Sequence, residues 1–241
     1  VLTKLKDFNK RINWFESYRK KNNRFWPSEE KKDGDEILLS LVPKEKLVYL
    51  LEKLLDEDGF LSPGGIRALS KYHEENPYSV KVHEQLYSIS YDPGDSTSDM
   101  FGGNSNWRGP VWMPINFLII QSIRRFGEFY GNELLVENPV GSGNKMNLVE
   151  VANELTKRVI SLFEKEEDGS RRLFADYNWF YQQPGNEHLI LFYEYFHGDT
   201  ARGEGASHQT GWTGVVAELI NSISRIEKKT TSIMQKEIVS Q

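Results

Sequence analysis

Two segments of the chain combine aromatic rings, glycines and a few hydrogen-bonding side chains in a pattern that suits carbohydrate chemistry. In the first, residues 104–116, Trp107 and Trp112 lie on either side of an Arg-Gly-Pro turn. An indole face packs on pyranose C–H groups, and Asn106 and Arg108 can bond to sugar hydroxyls, which is the usual composition of a small-ligand pocket. The alternative is that both indoles only close the entrance of the helix that follows.

The second segment, residues 192–212, adds a carboxylate. Glu194 is the only acid in the aromatic run Phe-Tyr-Glu-Tyr-Phe. Apolar surroundings disfavour the charged form of a carboxyl group unless it is hydrogen-bonded, so Glu194 is a candidate acid/base residue. The alternative is a glutamate at a strand end that points into solvent. The glycine-rich loop after it supplies His208, Gln209 and Trp212 as further candidate contacts to a sugar.

Other catalytic chemistries fit the sequence poorly. The chain has no cysteine, which excludes disulfides, thiolate metal sites and a cysteine nucleophile. His188, His197 and His208 are not spaced as a helical metal-binding pair. Ser207 and His208 are neighbours whose side chains point apart in extended backbone, which argues against a serine triad. We therefore expect neither a metal nor a cofactor.

Composition narrows the partners. A formal net charge of −5 gives no basic excess for binding nucleic acid. Apolar runs such as Phe117–Ile120 are too short to span a membrane, and the chain does not open on an apolar leader. These features predict a cytoplasmic protein whose partner is a carbohydrate.

The elements that must position the two segments are predicted to be helices. Apolar spacing predicts helices over Leu2–Tyr18, over Pro114–Tyr130 with a stop at Gly131, and over Trp212–Glu227. It also predicts a helix that has Pro43 in its first turn and is ended by Asp58-Gly59, and a helix that starts at Asn147 and is ended by Asp168-Gly169. Alternation predicts a short strand over Leu86–Tyr91. The spacing of Asn147 and Glu150 is typical of a capping box. We expect an all-α fold with at most a small β-hairpin and long functional loops. Residues 1–226 would form one domain, followed by a polar, frayed tail over 227–241.

Both segments resemble a known signature. The run Trp-Arg-Gly-Pro-Val-Trp at 107–112 and the run Gly-Ala-Ser-His-Gln-Thr-Gly-Trp at 205–212 are similar to motifs of glycoside hydrolase family 63. The resemblance extends from Leu2 to about Ile220. It is strongest to a large cytosolic branch in fungi and bacteria that is named for its similarity to processing α-glucosidases.

The resemblance implies that the chain is the C-terminal portion of an (α/α)6 toroid. It also implies inverting hydrolysis of α-glucosidic or related bonds, with Glu194 as the general base. The family's general acid is an aspartate that would precede this chain, in a missing N-terminal part of the same polypeptide. Since an inverting enzyme needs both groups, the isolated chain is expected to be inactive. Asp95 and Asp99 are the alternatives for the acid, and Glu204 is the alternative for the base.

Two other readings stay open. A catalytically silent carbohydrate-binding or scaffold protein would keep the aromatic cleft and lose hydrolysis. Within the enzymes, a trehalase-like hydrolase or a hydrolase of glycerate glycosides is the nearest competitor.

Overall fold

A computed structural model describes residues 6–22, 28–30, 37–97 and 107–226. The chain divides into two compact units, Val1–Leu51 and Glu52–Gln241. In the described ranges the fold is mostly helical, with small antiparallel sheets. No helix in these ranges is both long and apolar enough to cross a membrane.

The first unit contains a helix and a short hairpin. Helix α1 spans Lys6–Lys21, and strands β1 (Ser28–Glu30) and β2 (Ile37–Leu39) pair antiparallel. Helix α2, Lys44–Leu54, runs across the boundary into the second unit. Its first backbone hydrogen bond runs from the Leu47 amide to the Pro43 carbonyl at 2.9 Å, so Pro43 lies directly before the helix and not in its first turn.

The second unit is organised around a pair of packed helices, α3 (Met113–Tyr130) and α4 (Leu148–Ile160). The buried residues of both helices recur every three or four positions, namely Met113, Asn116, Ile120, Ile123, Gly127 and Tyr130 in α3 and Leu148, Val151, Ala152, Leu155, Thr156 and Val159 in α4. Gly127 marks the closest approach, because a Cβ there would lie 2.6 Å from the Val149 amide nitrogen. This contact is open only to glycine.

The end of α3 and the start of α4 follow the sequence prediction. The predicted stop of α4 at Asp168-Gly169 was wrong: α4 ends at Ile160, because the Phe163 amide donates to the Ile160 carbonyl at 2.9 Å and closes a tighter turn. α4 starts with the predicted capping box: Asn147 Oδ1 accepts from the Glu150 amide at 3.0 Å, and Glu150 Oε2 accepts from the Asn147 amide at 2.8 Å. α3 stops at Gly131, which has a φ of +53°. The predicted helix over Trp212–Glu227 is interrupted, because α6 (Thr210–Thr213) and α7 (216–226) are separated by a turn at 214–215.

Short strands are more frequent than predicted, so the limit of one small hairpin was wrong. The described ranges hold five two-stranded antiparallel sheets. The remaining four pair β3 (Leu61–Ser62) with β4 (Gly65–Ile66), β5 (Tyr78–Val82) with β6 (Gln85–Ile89), β7 (Leu135–Glu137) with β8 (Lys145–Asn147), and β9 (Tyr195–Phe196) with β10 (Gly203–Glu204). Only β6 had a readable alternation; segments of two or three residues are too short to show a period of two.

Candidate functional site

The backbone joins the two aromatic segments directly. Val111, between Trp107-Arg-Gly-Pro and Trp112, exchanges both hydrogen bonds with Phe196: the Val111 amide donates to Phe196 at 2.8 Å, and the Phe196 amide donates back at 2.9 Å. The side chains beside this bridge also meet, since the rings of Trp112 and Tyr195 lie 4.8 Å apart. The structure therefore brings the indoles and the strand that follows Glu194 into one site.

Three indoles form a cluster at the start of α3. Trp112 is fully buried and stacks on Trp107 at 4.2 Å with an interplanar angle of 7°. Trp212 approaches Trp112 at 5.6 Å with a tilt of 56°. Trp107 and Trp212 remain 42% and 41% exposed. Trp112 thus closes the entrance of α3, whereas the side chains of Trp107 and Trp212 are partly exposed to solvent.

A cleft of about 270 Å³ opens beside the indole cluster. Its walls are Trp107, Trp112, Pro114, Ile115, Gly211 and Trp212. The cleft is therefore lined by aromatic and aliphatic groups, and polar recognition of a sugar must come from residues at its edge.

Glu194 is half-buried and is held by the loop after β10. Its amide donates to the Ala206 carbonyl at 2.9 Å, and its Oε2 accepts from the Ala206 amide at 3.1 Å. Oε1 makes no hydrogen bond to any residue that the structure describes. Among the described residues, one oxygen of Glu194 is therefore fixed by the backbone and the other is unbonded.

Gly205 makes this grip possible. Its φ of +68° turns the chain back towards Glu194, and a Cβ there would lie 2.9 Å from Glu194 Oε2 and 2.6 Å from Tyr195 Cε1. Gly205 and Ala206 thus form a backbone cradle around the Glu194 carboxylate.

A second carboxylate of the same hairpin, Glu204, is buried. Its side chain is 2% exposed, and Oε1 accepts from Arg202 Nε at 3.1 Å and Nη2 at 2.6 Å. Oε2 has no hydrogen-bond partner in the part of the chain that the structure describes. Burial raises the pKa of Glu204, Arg202 opposes that rise, and Asp95 and Asp92 add to it. A carboxylate enclosed in this way cannot contact a substrate, so the geometry disfavours Glu204 as the base.

Asp95 and Tyr195 link the loop before the Trp-Arg-Gly-Pro turn to the same hairpin. The Tyr195 hydroxyl donates to Asp95 Oδ1 at 2.6 Å. Burial and the bond to Asp95 raise the pKa of Tyr195, so the phenol stays protonated. Asp95 is exposed, and Asp99, the other alternative for the acid, lies outside the described residues.

Comparison with known proteins shows the family to which the chain belongs. Residues 4–213 match the family of mannosylglycerate hydrolase MGH1-like glycoside hydrolase domains. The chain belongs to this family. The match and the relatives below confirm the resemblance to glycoside hydrolase family 63.

The curated relatives are much longer than this glycoside hydrolase domain. It is 47% identical over 227 residues to the uncharacterized Saccharomyces cerevisiae protein YMR196W. These residues are 92% of this chain and 21% of that protein. It is 26% identical over 189 residues to a probable mannosyl-oligosaccharide glucosidase of Schizosaccharomyces pombe, covering 77% of this chain and 17% of that one. A mannosyl-oligosaccharide glucosidase of Saccharomyces cerevisiae is 25% identical over 124 residues, which are 51% of this chain and 12% of the relative. The chain thus spans about a fifth or less of the length of these relatives.

In the hydrolase domain, Arg108 lies in a buried ion pair. Its Nη2 donates to Asp92 Oδ2 at 2.9 Å and to Ser96 Oγ at 3.1 Å, and Arg108 is 6% exposed. The same Asp92 oxygen accepts from the Thr97 hydroxyl at 2.7 Å. The guanidinium thus organises the loop before the indoles. Sequence reasoning missed Asp92, because Asp-Pro-Gly-Asp reads as an ordinary turn.

Two further predicted contacts, His208 and Gln209, follow the cradle in sequence and lie against Phe192. His208 is exposed, and its ring centroid lies 5.7 Å from that of Phe192. Gln209 is anchored by its backbone amide, which donates to the Phe192 backbone carbonyl at 2.6 Å. The Gln209 carbonyl in turn accepts from the Trp212 amide at 3.1 Å. Asn106 lies outside the described residues.

A second buried network supports the turn after β9. Arg67 Nη2 and the Tyr91 hydroxyl both donate to Asp199 Oδ1 at 3.0 Å. Burial alone would raise the pKa of Asp199, but the bonds from Tyr91 and Arg67 hold it below its usual value. Gly198 allows this turn to touch the Trp-Arg-Gly-Pro loop, since a Cβ there would lie 2.6 Å from the Gly109 carbonyl oxygen. Sequence reasoning assigned no role to these residues.

Proposed function

We propose that this domain is part of an inverting glycoside hydrolase that cleaves α-glucosidic or related bonds in an oligosaccharide or small glucoside. The observation that carries the proposal is the position of Glu194. Its carboxylate is part-exposed, one oxygen is fixed by Ala206, and Tyr195, the next residue, packs on the indole cluster. This arrangement suits a carboxylate that activates a water beside a sugar ring.

The chemistry divides into two proton transfers. Glu194 takes a proton from water as that water attacks the anomeric carbon, and a carboxylic acid on the other side of the ring protonates the departing oxygen. The two carboxyl groups of an inverting enzyme are roughly 6.5–9.5 Å apart to leave room for the water. We assign the acid to another part of a longer polypeptide, as the length of the relatives supports.

The indoles are assigned to substrate binding. The exposed faces of Trp107 and Trp212 pack on the sugar ring, and His208 and Gln209 provide polar contacts at the edge of the cleft. Arg108 contributes by fixing the loop through Asp92. The helices α3, α4 and α7 then belong to one side of an (α/α)6 toroid that the rest of the polypeptide completes.

A second candidate substrate is a glycoside of glycerate. The family description names mannosylglycerate hydrolase, which favours this class over trehalose. In both cases the same base and the same inverting chemistry apply, and only the group that leaves differs.

The test uses the full-length polypeptide that contains this domain. It is incubated with α-glucosides, trehalose and glycosylglycerates, and the first-formed anomer is followed by NMR. We expect hydrolysis with inversion and a loss of about 10²–10⁴-fold in turnover for Glu194→Gln, because the amide keeps the shape of the carboxylate and cannot accept the proton. Glu128→Gln, on the exposed face of α3, is the matched control.

Three results would refute the proposal. Retention of anomeric configuration would exclude the inverting mechanism, and sugar binding without any hydrolysis would favour the silent carbohydrate-binding protein. Robust hydrolysis by the isolated 241-residue chain would place the acid within it, with Asp95 and Asp99 the first residues to replace.

A further inference from the structure

A carboxylate at the position of Glu204 is unfavourable for the stability of the fold. Its side chain is 2% exposed, and its Oε2 lacks a hydrogen-bond partner among the described residues. An unmatched acceptor in a buried carboxylate lowers stability, and such a group in a folded protein calls for an explanation. Arg202, which bonds Oε1, is itself 41% exposed and would be hydrated without Glu204. The pair is therefore a poor candidate for a stabilising contact.

The position of Glu204 in the hairpin connects it to Glu194. In the β9–β10 ladder Glu204 is the partner of Tyr195, the residue after Glu194. The next two residues of the same strand end are Gly205, which packs against the Glu194 carboxylate, and Ala206, which bonds it. Any shift of Glu204 along the ladder therefore moves the cradle.

The carboxyl group of Glu204 also touches the loop on the opposite side of the hairpin. A Cβ on Gly94 would lie 3.1 Å from Glu204 Oε2 and 3.0 Å from His197 Cδ2. The same loop carries Asp95, which bonds Tyr195, and Asp92, which bonds Arg108. The Glu204 side chain is thus packed between the loop that contains Asp92, Gly94 and Asp95 and the strand β10 that leads into the cradle.

We propose that Glu204 is a positioning residue for Glu194: wedged against Gly94 and held by Arg202, it fixes the register of Gly205 and Ala206 around the Glu194 carboxylate. The assignment rests on the proposed function, in which Glu194 is the base. It accounts for a buried carboxylate with an unmatched oxygen, because many active sites hold a reacting group in position at a cost in stability. Glu204 itself contacts no substrate and takes no proton from the attacking water.

The proposal is tested with a double-mutant cycle in the full-length polypeptide. Glu204→Ala should lower kcat on the order of 10²-fold, the loss expected for a misplaced catalytic group, while KM changes little. In a Glu194→Gln background the same substitution should cause little further loss, because a residue that acts through Glu194 has nothing left to position. Glu204→Gln, which keeps the shape and one acceptor for Arg202, should recover part of kcat.

A matched control removes an ion pair of similar geometry elsewhere. Arg172 Nε bonds Glu166 Oε1 at 2.9 Å on the surface, and Glu166→Ala should leave kcat and KM unchanged. Equal losses from Glu204→Ala with and without Glu194, or a loss confined to KM, would overturn the proposal. If Glu204→Ala does not fold, Arg202→Gln tests the same cycle and should show the same coupling.

The thermal unfolding midpoint separates positioning from stabilisation. For Glu204→Gln at neutral pH we expect a midpoint no lower than that of the wild type together with a lower kcat. Parallel losses of stability and kcat would show a purely structural role. Wild-type turnover of Glu194→Gln would instead refute the base assignment in the proposed function, whatever the Glu204 variants do.

Discussion

Glu194 and Glu204 lie on the same short hairpin and differ in almost every physical property. The Glu194 side chain is half-buried; one of its oxygens accepts a backbone hydrogen bond, and the other has no partner among the described residues. Glu204 is enclosed; one of its oxygens accepts two bonds from Arg202, and the other accepts none from any described residue. The sequence places Glu194 among aromatic residues and Glu204 between two glycines. The different environments of the two carboxylates support our proposal that Glu194 reacts and that Glu204 positions it.

Among substitutions that leave both carboxylates in place, the largest effect should come from filling the space beside Glu194. In Gly205→Ala the new Cβ would lie 2.9 Å from Glu194 Oε2 and would occupy a backbone conformation with φ of +68°. We expect a loss in kcat on the order of 10²-fold, because the Glu194 carboxylate must move. The measurement is kcat and KM of the full-length polypeptide.

Gly141→Ala is the control for Gly205→Ala. Gly141 has a φ of +84°, and no atom lies within 4 Å of a Cβ placed there. Both variants carry the backbone strain of about 1–2 kcal/mol, but only Gly205→Ala meets Glu194. Equal changes in kcat for the two variants would show that the cradle does not position the carboxylate.

A smaller effect concerns stability and pH. Because burial raises the folded-state pKa of Glu204, wild-type stability relative to Glu204→Gln should rise as pH falls from neutral through that pKa towards the unfolded-state value near 4.5. Below both pKa values, Glu204→Gln should no longer be more stable than the wild type. Thermal unfolding of both proteins across this range is the measurement; a parallel pair of curves would contradict the raised pKa.

The smallest effect should come from the link between Tyr195 and Asp95. Tyr195→Phe removes one hydrogen bond of 2.6 Å and should cost about 0.5–1.5 kcal/mol in the free energy of unfolding, with little change in turnover. Tyr87→Phe, which removes an exposed bond to Gln85 at 3.1 Å, should cost less. A Tyr195→Phe protein as stable as the wild type would show that the loop around Asp95 is held by other contacts.

The helices of this domain were readable from the sequence because their apolar spacing is regular over ten or more residues. The capping box at Asn147 and the stop at Gly131 depend on local residues and were also readable. The extra small sheets were not, since each strand has only two or three residues. The break at 214–215 was missed because the apolar stripe continues across it.

At the site, the sequence identified the aromatic segments and Glu194 but not their supports. The Asp92–Arg108 pair and the Arg67–Tyr91–Asp199 network join residues that are distant along the chain. No local pattern marks such partners. Arg108 shows the limit most clearly: the sequence predicted its contact with sugar hydroxyls but not its buried bond to Asp92.

The most direct test of the difference between the two carboxylates is chemical rescue. Azide is a nucleophile that needs no base, and it can occupy the space left by a truncated side chain at the face attacked by water. In the full-length polypeptide, Glu194→Ala should have little hydrolysis in water, and azide should restore turnover of an α-glucoside with formation of the inverted β-glucosyl azide. Glu204→Ala should show no such rescue. Near-normal hydrolysis by Glu194→Ala, or azide rescue of Glu204→Ala alone, would contradict the assignment of Glu194 as the base.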